Sequence, residues 1–358
     1  MFNFELIPSN IVQMSTNSDD IQSRIASFQE PEKENAVRCL LCPHACVLKV
    51  GQTGICRTRI NRQGKLYTLS YGNPCSLAID PIEKKPLFHF YPGTKILSLA
   101  VNGCNFRCLN CQNWEISQTA PDKTATHVLL PEEVVKTTLR HELKSIAFTY
   151  TEPTVFYEYV YDTFRLAHEK GLKTVLISNG YINKQPLLDL CPCLDAANID
   201  LKCFDENIHQ HLTGGRLQPV LETLKTLKEQ GVWLEITNLL IPGFSDNPEM
   251  IRSMCHWLVE NDFADTPLHF SRFFPAYKLN DLPPTSVNIL IQAGEIASAA
   301  GMNYVYIGNI PSLNAENTYC PGCKTLLVER RGYIVSQNRI RESLCPSCGY
   351  MIHGAWND

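Results

Sequence analysis

Alternating strand-like and helix-like segments limit most strongly how this chain of 358 residues can fold. From about Lys95 onward, short apolar runs are separated by longer segments in which apolar residues keep helical spacing. Strands separated by helices of about ten or more residues form βαβ units with a parallel sheet. Strands are predicted at 95–101, 145–150, 173–178, 196–202, 232–240, 267–273 and 304–307, with helices at 131–141, 154–169, 184–190, 218–230, 248–260 and 285–300. These repeats predict an α/β fold of the barrel type, complete or partial.

Composition indicates a globular protein and excludes two classes of partner. Hydrophobic residues make up 44% of the chain and charged residues 19%, which is typical of a soluble protein with a sizeable core. The formal net charge of −4 offers no basic surface for nucleic acid. No apolar run is long enough to span a membrane, and no secretory signal is visible at the start. We therefore expect a cytoplasmic protein with no membrane or nucleic-acid partner.

Four segments are predicted along the chain from changes in composition. Residues 1–37 form a polar leader, and residues 38–94 form a cysteine-rich N-terminal segment. Residues 95–312 form the barrel, and residues 313–358 form a small C-terminal domain. A charged run within the second segment, Asp80-Pro-Ile-Glu-Lys-Lys-Pro86, is predicted to be either a solvated loop or a rim that faces a substrate or partner.

Three cysteines follow the first predicted barrel strand with the spacing C-x3-C-x2-C: Cys104, Cys108 and Cys111, which we call the triad. Parallel barrels place their chemistry in the loops after the strands. A cuboidal iron–sulfur cluster has four irons, each of which needs a thiolate, so three cysteines leave one iron open. An open metal position is where a substrate or cofactor binds. The alternative interpretation is three unpaired thiols, or half of a zinc site.

Two further cysteine groups have the spacing of metal ligands. Cys320, Cys323, Cys345 and Cys348 form two C-x2-C pairs, which are typical of a closed, structural zinc ribbon with a hairpin turning at Gly332. The alternative for these four cysteines is a rubredoxin-like iron site. Cys39, Cys42, Cys46 and Cys56, which we call the N-terminal quartet, lie close together in the chain and are predicted to share one metal site. Thiolates suit both zinc and a second iron–sulfur cluster, so both remain open for the quartet.

The triad spacing resembles the signature of the radical SAM enzymes. The resemblance implies that the open iron binds the amino and carboxylate groups of S-adenosylmethionine (SAM). The reduced 4Fe–4S cluster would then pass one electron to the sulfonium, and a 5′-deoxyadenosyl radical would form. An electron donor such as flavodoxin or ferredoxin is implied as a partner.

Five residues at strand ends or within a strand are candidates for SAM contacts by this resemblance. Glu152 stands where many radical SAM enzymes have Gly-Gly-Glu, although this chain has Thr151-Glu152-Pro153. Asn179 ends the third strand, and Asp200 with Lys202 matches an Asp-Leu-Lys run of related activating enzymes. His269 resembles a late histidine near the SAM ribose or adenine. The structural alternatives are a helix-entry glutamate, a surface ion pair and a buried core histidine.

More of the chain resembles one particular family. The motifs are Cys39-Leu-Leu-Cys42-Pro-His-Ala-Cys46, Gly54-Ile-Cys56-Arg57, the Asp80–Pro86 run, the triad with its flanks, Tyr304-Val-Tyr-Ile-Gly-Asn309 and the terminal cysteine pairs. Together they resemble the radical SAM member of the AmmeMemoRadiSam system, which is similar to pyruvate-formate-lyase-activating enzymes. This resemblance covers residues 38–356 and implies a partial (β/α)6 TIM-like barrel with a C-terminal zinc ribbon.

Three hypotheses for function follow. The first is a radical SAM oxidoreductase of the activating-enzyme type that abstracts hydrogen from an unidentified substrate, a small molecule or a side chain. The second is an activase that generates a glycyl radical on a partner protein. The third is a zinc-ribbon interaction protein without catalysis, against which the intact triad argues. The family resemblance implies Memo-like and AMME-syndrome-type proteins as partners.

Overall fold

The computed structural model describes residues 24–123, 128–310 and 315–356. Most of the predicted leader, and the predicted boundary at 312/313, lie outside these ranges. The chain divides into two compact units. The first comprises residues up to Asp80, Lys95–Ala197 and Pro219–Val232, and the second comprises Pro81–Thr94, Asn198–Gln218 and the chain from Trp233. The four predicted segments stay a prediction.

Small antiparallel sheets form the cysteine-rich part of the first unit. One has three strands, β1 (Gln29–Pro31), β2 (Val37–Cys39) and β3 (Val47–Leu48). The other is a hairpin of β4 (Arg59–Arg62) and β5 (Lys65–Thr68). Cys39 therefore lies at the end of a strand, and the other cysteines of the quartet lie in the turns around these short strands.

The central sheet contains eight described strands, in the order β13-β12-β11-β10-β9-β8-β7-β6. Their bounds are β6 (Ser76–Pro81), β7 (Lys95–Ala100), β8 (Ser145–Phe148), β9 (Lys173–Ser178), β10 (Ala196–Asp200), β11 (Trp233–Leu240), β12 (Leu268–Arg272) and β13 (Val305–Gly308). In the first unit, Leu97 pairs with Ile146 in parallel register, and in the second unit Leu268 pairs in parallel with Val305. These pairings confirm the predicted α/β fold with a mostly parallel sheet.

Helices connect the strands of the sheet. Their bounds are α1 (Trp114–Ser117), α2 (Pro131–Arg140), α3 (Tyr157–Glu169), α4 (Lys184–Leu190), α5 (Glu206–Thr213), α6 (Gln218–Glu229), α7 (Pro248–Glu260) and α8 (Val287–Ala300). Short 3-10 helices include Ile82–Lys84 and Pro153–Phe156. Local chemistry sets the ends: α8 begins where the Ser286 hydroxyl accepts a bond from the Ile289 amide, and it ends at Gly301 with a φ of 105°.

The C-terminal strands β14 (Thr318–Tyr319), β15 (Leu326–Arg331) and β16 (Ile334–Asn338) form an antiparallel sheet. The predicted hairpin is confirmed: Arg331 pairs with Ile334, and Gly332 makes the turn with a φ of 59°. Phe88, Tyr304, Tyr306, Leu327 and Val328 belong to one buried cluster. The ribbon thus shares its core with the rest of the second unit.

Among the described residues, no helix combines the length and apolar character needed to span a membrane.

Candidate functional site

The triad lies in the loop between β7 and α1, within the first unit. Backbone bonds give this loop its shape. The Gly103 amide donates to the Ile116 carbonyl over 3.0 Å, and the Cys111 amide donates to the Cys108 carbonyl over 3.3 Å. The Gln118 side chain donates to the Phe106 carbonyl over 3.1 Å. The three thiols are therefore presented by one folded loop at the end of a parallel strand.

The surroundings of Cys104 fit a thiolate that binds a metal cluster. Its Sγ accepts bonds from the Phe106 amide at 3.3 Å and from Nδ2 of Asn179 at 3.8 Å. Burial raises the pKa of Cys104 well above its ordinary value, and the charges of Glu152, Cys108 and Cys111 raise it further. A buried thiol loses its proton when a metal cation binds it, and donors to sulfur are a feature of iron–sulfur sites.

Glu152 and Asn179 come together beside Cys104. The Glu152 carboxylate is 1% exposed, and its Oε1 accepts bonds from the Thr154 amide at 2.9 Å, the Thr154 hydroxyl at 2.6 Å and the Ser178 hydroxyl at 2.7 Å. Its Oε2 accepts from the Asn179 amide at 2.8 Å. Burial raises the pKa of Glu152, although these hydrogen bonds oppose the rise. Glu152 therefore joins the end of β8 to the end of β9.

Asp200 and Lys202 lie at the end of β10, in the second unit, and form an ion pair. Lys202 Nζ lies 2.7 Å from Oδ2 of Asp200, and the two side chains are 20% and 30% exposed. Alternation along an extended segment puts residues i and i+2 on one face, as the sequence predicts. Both charges are accessible to a polar ligand at this strand end.

His269 is buried on β12 of the second unit and is paired with a residue that sequence analysis missed. Its Nε2 lies 2.6 Å from Oε2 of Glu235, which is fully buried on β11. Burial favours the neutral form of Glu235, but the bond and charge of His269 hold its pKa below the usual range. The Glu235 carboxylate also accepts a hydrogen bond of 2.7 Å from the backbone amide of His89, so His89 lies beside the Glu235–His269 pair. The sequence did not predict that Glu235 is the partner of His269, because a single glutamate within a strand forms no recognisable motif.

A pocket of about 400 Å³, partly open to solvent, lies beside His269 in the second unit. Its lining includes Glu83 and Lys84 from the charged run, with Ser271 and Asn309 from the ends of β12 and β13. Glu83 is only 1% exposed, which shows that the solvated-loop interpretation of the run is wrong for this residue. Burial raises the pKa of Glu83 to about 7, against the opposing charge of Arg330.

The four C-terminal cysteines have the geometry of a tetrahedral zinc site. Their sulfur atoms all lie within 4.8 Å of one another. Cys320 Sγ is 3.6 Å from Cys348 Sγ, and Cys323 Sγ is 3.7 Å from Cys345 Sγ. Zinc–sulfur bonds of about 2.3 Å in a tetrahedron place the sulfurs about 3.8 Å apart. The site thus fits the predicted zinc ribbon.

The N-terminal quartet has a different arrangement. Its four cysteines line one pocket with about 370 Å³ of space, part of it open to solvent. Among the described residues, the C-terminal four are the group whose ligand atoms all lie within 4.8 Å of one another, and the quartet does not meet that limit. None of the described cysteines forms a disulfide.

Several known proteins are similar to this chain. The model of the Radical SAM superfamily matches residues 99–258. The protein MJ0808 of Methanocaldococcus jannaschii is 48% identical over 333 residues, which are 92% of this chain and 98% of that protein. Pyruvate formate-lyase 1-activating enzyme of Escherichia coli (strain K12) is 32% identical over 164 residues, which are 44% of this chain and 65% of that enzyme.

Among solved structures, a domain of pyruvate-formate lyase-activating enzyme from Bacteroides vulgatus is similar at a TM-score of 0.40 and 17% identity, covering 46% of this chain and 98% of that domain. The full-length match to the Methanocaldococcus protein shows the family, and the superfamily match includes the triad. The chain therefore belongs to the family of the Methanocaldococcus jannaschii protein MJ0808 and carries a radical SAM domain with homology to pyruvate formate-lyase activating enzymes.

Proposed function

We propose that this protein is a radical SAM oxidoreductase whose triad holds a 4Fe–4S cluster and whose open iron binds SAM. When bound and reduced, such a cluster supplies one electron to the sulfonium of SAM, and the resulting 5′-deoxyadenosyl radical abstracts hydrogen from a substrate. The observation that carries this proposal is the triad loop, which presents three cysteines while Asn179 and the Phe106 amide both donate to Cys104 Sγ.

We propose that Asn179 and Glu152 fix the positions of the segments that follow β8 and β9. Asn179 Nδ2 also donates to Oδ1 of Asn105, the residue after Cys104, over 2.9 Å. Glu152 fixes the Asn179 backbone through the bond to its amide. Oε1 of Glu152 accepts three bonds and Oε2 accepts one, so Oε2 retains capacity to accept from the SAM amino group while the carboxylate positions Asn179 and the adjoining loop. Small displacements at such a site cost about a hundredfold in rate.

Asp200 and Lys202 are proposed to bind the polar groups of SAM. Lys202 offers a cation to the SAM carboxylate, and Asp200 offers an acceptor to the ribose hydroxyls or the amino group. In the absence of ligand each charge is balanced by the other at 2.7 Å. The proposed contact of His269 with SAM would use the ring edge that does not face Glu235, because Nε2 is already engaged.

For the substrate we propose classes of molecule and not a particular compound. Homology to the E. coli activating enzyme supports an activase of a glycyl-radical enzyme as the second candidate function. A small molecule or a side chain within the AmmeMemoRadiSam system, with Memo-like and AMME-syndrome-type partners, is proposed from the sequence resemblance. A low-potential donor such as flavodoxin or ferredoxin would supply the electron. The C-terminal site is proposed to hold structural zinc.

Formation of 5′-deoxyadenosine tests the proposed chemistry. The protein is reconstituted anaerobically with iron and sulfide, reduced with dithionite and mixed with SAM, and the products are separated by chromatography. We expect 5′-deoxyadenosine from the parent protein and from Cys255→Ala, a buried cysteine in α7. The variant with Ala at Cys104, Cys108 and Cys111 should form none. Failure of the parent protein to cleave SAM would overturn the proposal.

A further inference from the structure

The sulfur atoms of the N-terminal quartet do not all lie within 4.8 Å of one another, so they are more widely spaced than a single metal ion requires. Cys39, Cys42, Cys46 and Cys56 line the pocket described above together with apolar side chains, including Leu41 and Val155. A zinc ion holds four sulfurs about 3.8 Å from one another. The two sulfur pairs of the C-terminal site, at 3.6 and 3.7 Å, are close to that spacing. A cluster of four irons and four sulfides needs a wider cage with four thiolate corners.

Hydrogen-bond donors point at the quartet sulfurs from buried positions. The Thr58 hydroxyl lies 3.2 Å from Cys56 Sγ, and Arg59 Nη1 lies 3.8 Å from Cys39 Sγ. Arg59 is 1% exposed, and its Nη2 pairs with Glu158 at 2.5 Å. Its Nε has no hydrogen-bond partner among the described residues. Arg59, although it is also paired with Glu158, donates to Cys39 from a buried position, which favours a thiolate ligand there. The Thr58 hydroxyl adds a polar neighbour to Cys56, although its shorter bond, of 2.8 Å, goes to the Val155 carbonyl.

The quartet and the triad are adjacent in the first unit. Asn105, the residue after the first triad cysteine, lines the quartet pocket. The His44 ring, within the Cys42–Cys46 turn, lies 2.8 Å from the Asn105 carbonyl oxygen through its Nε2, which donates. Gly103, the residue before Cys104, also lies against the quartet, because a Cβ built on it would be 2.7 Å from the carbonyl oxygen of Cys56. Backbone atoms next to Cys56 and next to Cys104 are thus in van der Waals contact.

We propose that the N-terminal quartet binds a second 4Fe–4S cluster, closed by four cysteines, that passes an electron to the triad cluster. The relay part of this inference rests on the proposed function, whereas the binding part does not. A low-potential one-electron donor protein reduces the quartet cluster by one electron, and that cluster is reoxidised when the same electron moves to the triad cluster. Four thiolates leave no open iron, so the quartet cluster does not bind SAM.

Metal analysis of the full chain without its triad tests the binding part. The variant with Ala at Cys104, Cys108 and Cys111 is reconstituted anaerobically, and iron, acid-labile sulfide and zinc are measured per chain. We expect about four irons and four sulfides, with about one zinc from the C-terminal site. The reduced variant should also show an EPR signal that SAM leaves unchanged. An iron-free variant that holds two zinc ions would overturn the proposal.

A second pair of variants locates the iron. Adding Cys42→Ser and Cys46→Ser to the triad variant should remove its remaining iron and sulfide and leave its zinc unchanged. Adding Cys323→Ser and Cys348→Ser instead should remove the zinc and leave the iron. If the iron follows the C-terminal pair, the assignment is wrong. Because the triad is absent from these proteins, their metal content is independent of whether the parent protein cleaves SAM.

The relay is tested with the triad intact. Cys42→Ser with Cys46→Ser should lose SAM cleavage driven by reduced flavodoxin, while excess dithionite, a small reductant that reaches the triad directly, should still support it. Equal rates with flavodoxin in the variant and the parent protein would overturn the relay. So would an equal loss with both reductants in a variant whose triad retains its iron.

Discussion

Gly103 packs directly against the backbone of Cys56, so the residue immediately before the triad contacts the last cysteine of the quartet. A Cβ at Gly103 would lie 2.7 Å from the Cys56 carbonyl oxygen and would also overlap the Thr58 side chain. The φ of Gly103 is 105°, a conformation that residues with a side chain rarely adopt. Both the conformation and the space therefore require glycine at this position.

Replacing this glycine should displace the triad loop. Gly103→Ala combines an unfavourable φ, worth about 1–2 kcal/mol, with overpacking against fixed backbone, worth about 1–3 kcal/mol more. Gly171→Ala is the matched control, because Gly171 has a φ of 71° and nothing lies within 4 Å of its Cβ position. Denaturant unfolding of the metal-free proteins should show the larger loss of stability for Gly103→Ala. Equal losses would mean that the contact with Cys56 is unimportant.

Glu152→Gln should weaken the hydrogen bonds that connect the ends of β8 and β9. Four donors converge on this carboxylate, so an amide nitrogen at either position would face another donor, from Thr154 and Ser178 or from Asn179. An unsatisfied buried donor costs about 1–3 kcal/mol. Asp205→Asn makes the same chemical change at the start of α5, where asparagine is also a good cap, and should be nearly neutral. If Glu152→Gln left the free energy of unfolding unchanged, the prediction would be wrong.

Lys202→Ala should weaken SAM binding without changing the cluster. Loss of a charge-assisted contact of about 1.5–3 kcal/mol lowers affinity roughly ten- to hundredfold. Iron content and absorbance should match those of the parent protein. Lys173→Ala, which breaks a comparable ion pair of 2.8 Å with Asp195, is the control and should bind SAM normally. Normal binding by Lys202→Ala would identify the Asp200–Lys202 pair as a structural ion pair.

Much of the fold could be predicted because its periodicity is local. The predicted strand at 173–178 and helices at 184–190 and 248–260 match the structure residue for residue. Helix α5 was missed because only Ile208 and Leu212 are apolar in it, and its main signals are the Asp205 cap and the left-handed Gly214.

The buried polar residues could not be predicted in the same way. Strand β11 is buried on both faces, so alternation along it carries no information about Glu235. The partnership of Glu235 with His269 depends on the packing of neighbouring strands. In the charged run, Glu83 has Lys84 and Lys85 beside it, and that composition favours solvent exposure. Its burial beside Arg330, distant in the sequence, is a tertiary effect.

Two buried groups in the second unit should give opposite dependences of stability on pH. Burial lowers the pKa of His89 from 6.5 to about 4, so the unfolded chain binds more protons and acid destabilises the fold between these values. Burial raises the pKa of Glu83 from 4.5 to about 7, so the folded chain binds more protons and acid stabilises it there. In the parent protein these two contributions oppose each other between about pH 4.5 and pH 6.5.

Replacing either residue should leave the contribution of the other to the pH dependence of stability unopposed. Relative to the parent protein, Glu83→Gln should lose more stability per unit of acidification, and His89→Gln should lose less or gain. Each slope should differ from the parent slope by up to about 1.4 kcal/mol per pH unit. Urea unfolding at a series of pH values measures these slopes. Two variants whose slopes move in the same direction would contradict the assignment.

The EPR spectrum of the reduced, anaerobically reconstituted protein, recorded before and after SAM is added, tests most directly whether the triad holds the catalytic cluster. In the parent protein and in Cys255→Ala, SAM should change the spectrum because it binds the open iron. In the variant with Ala at Cys104, Cys108 and Cys111, any remaining signal should be insensitive to SAM. A SAM-dependent change that persists in this variant would contradict the assignment of the triad.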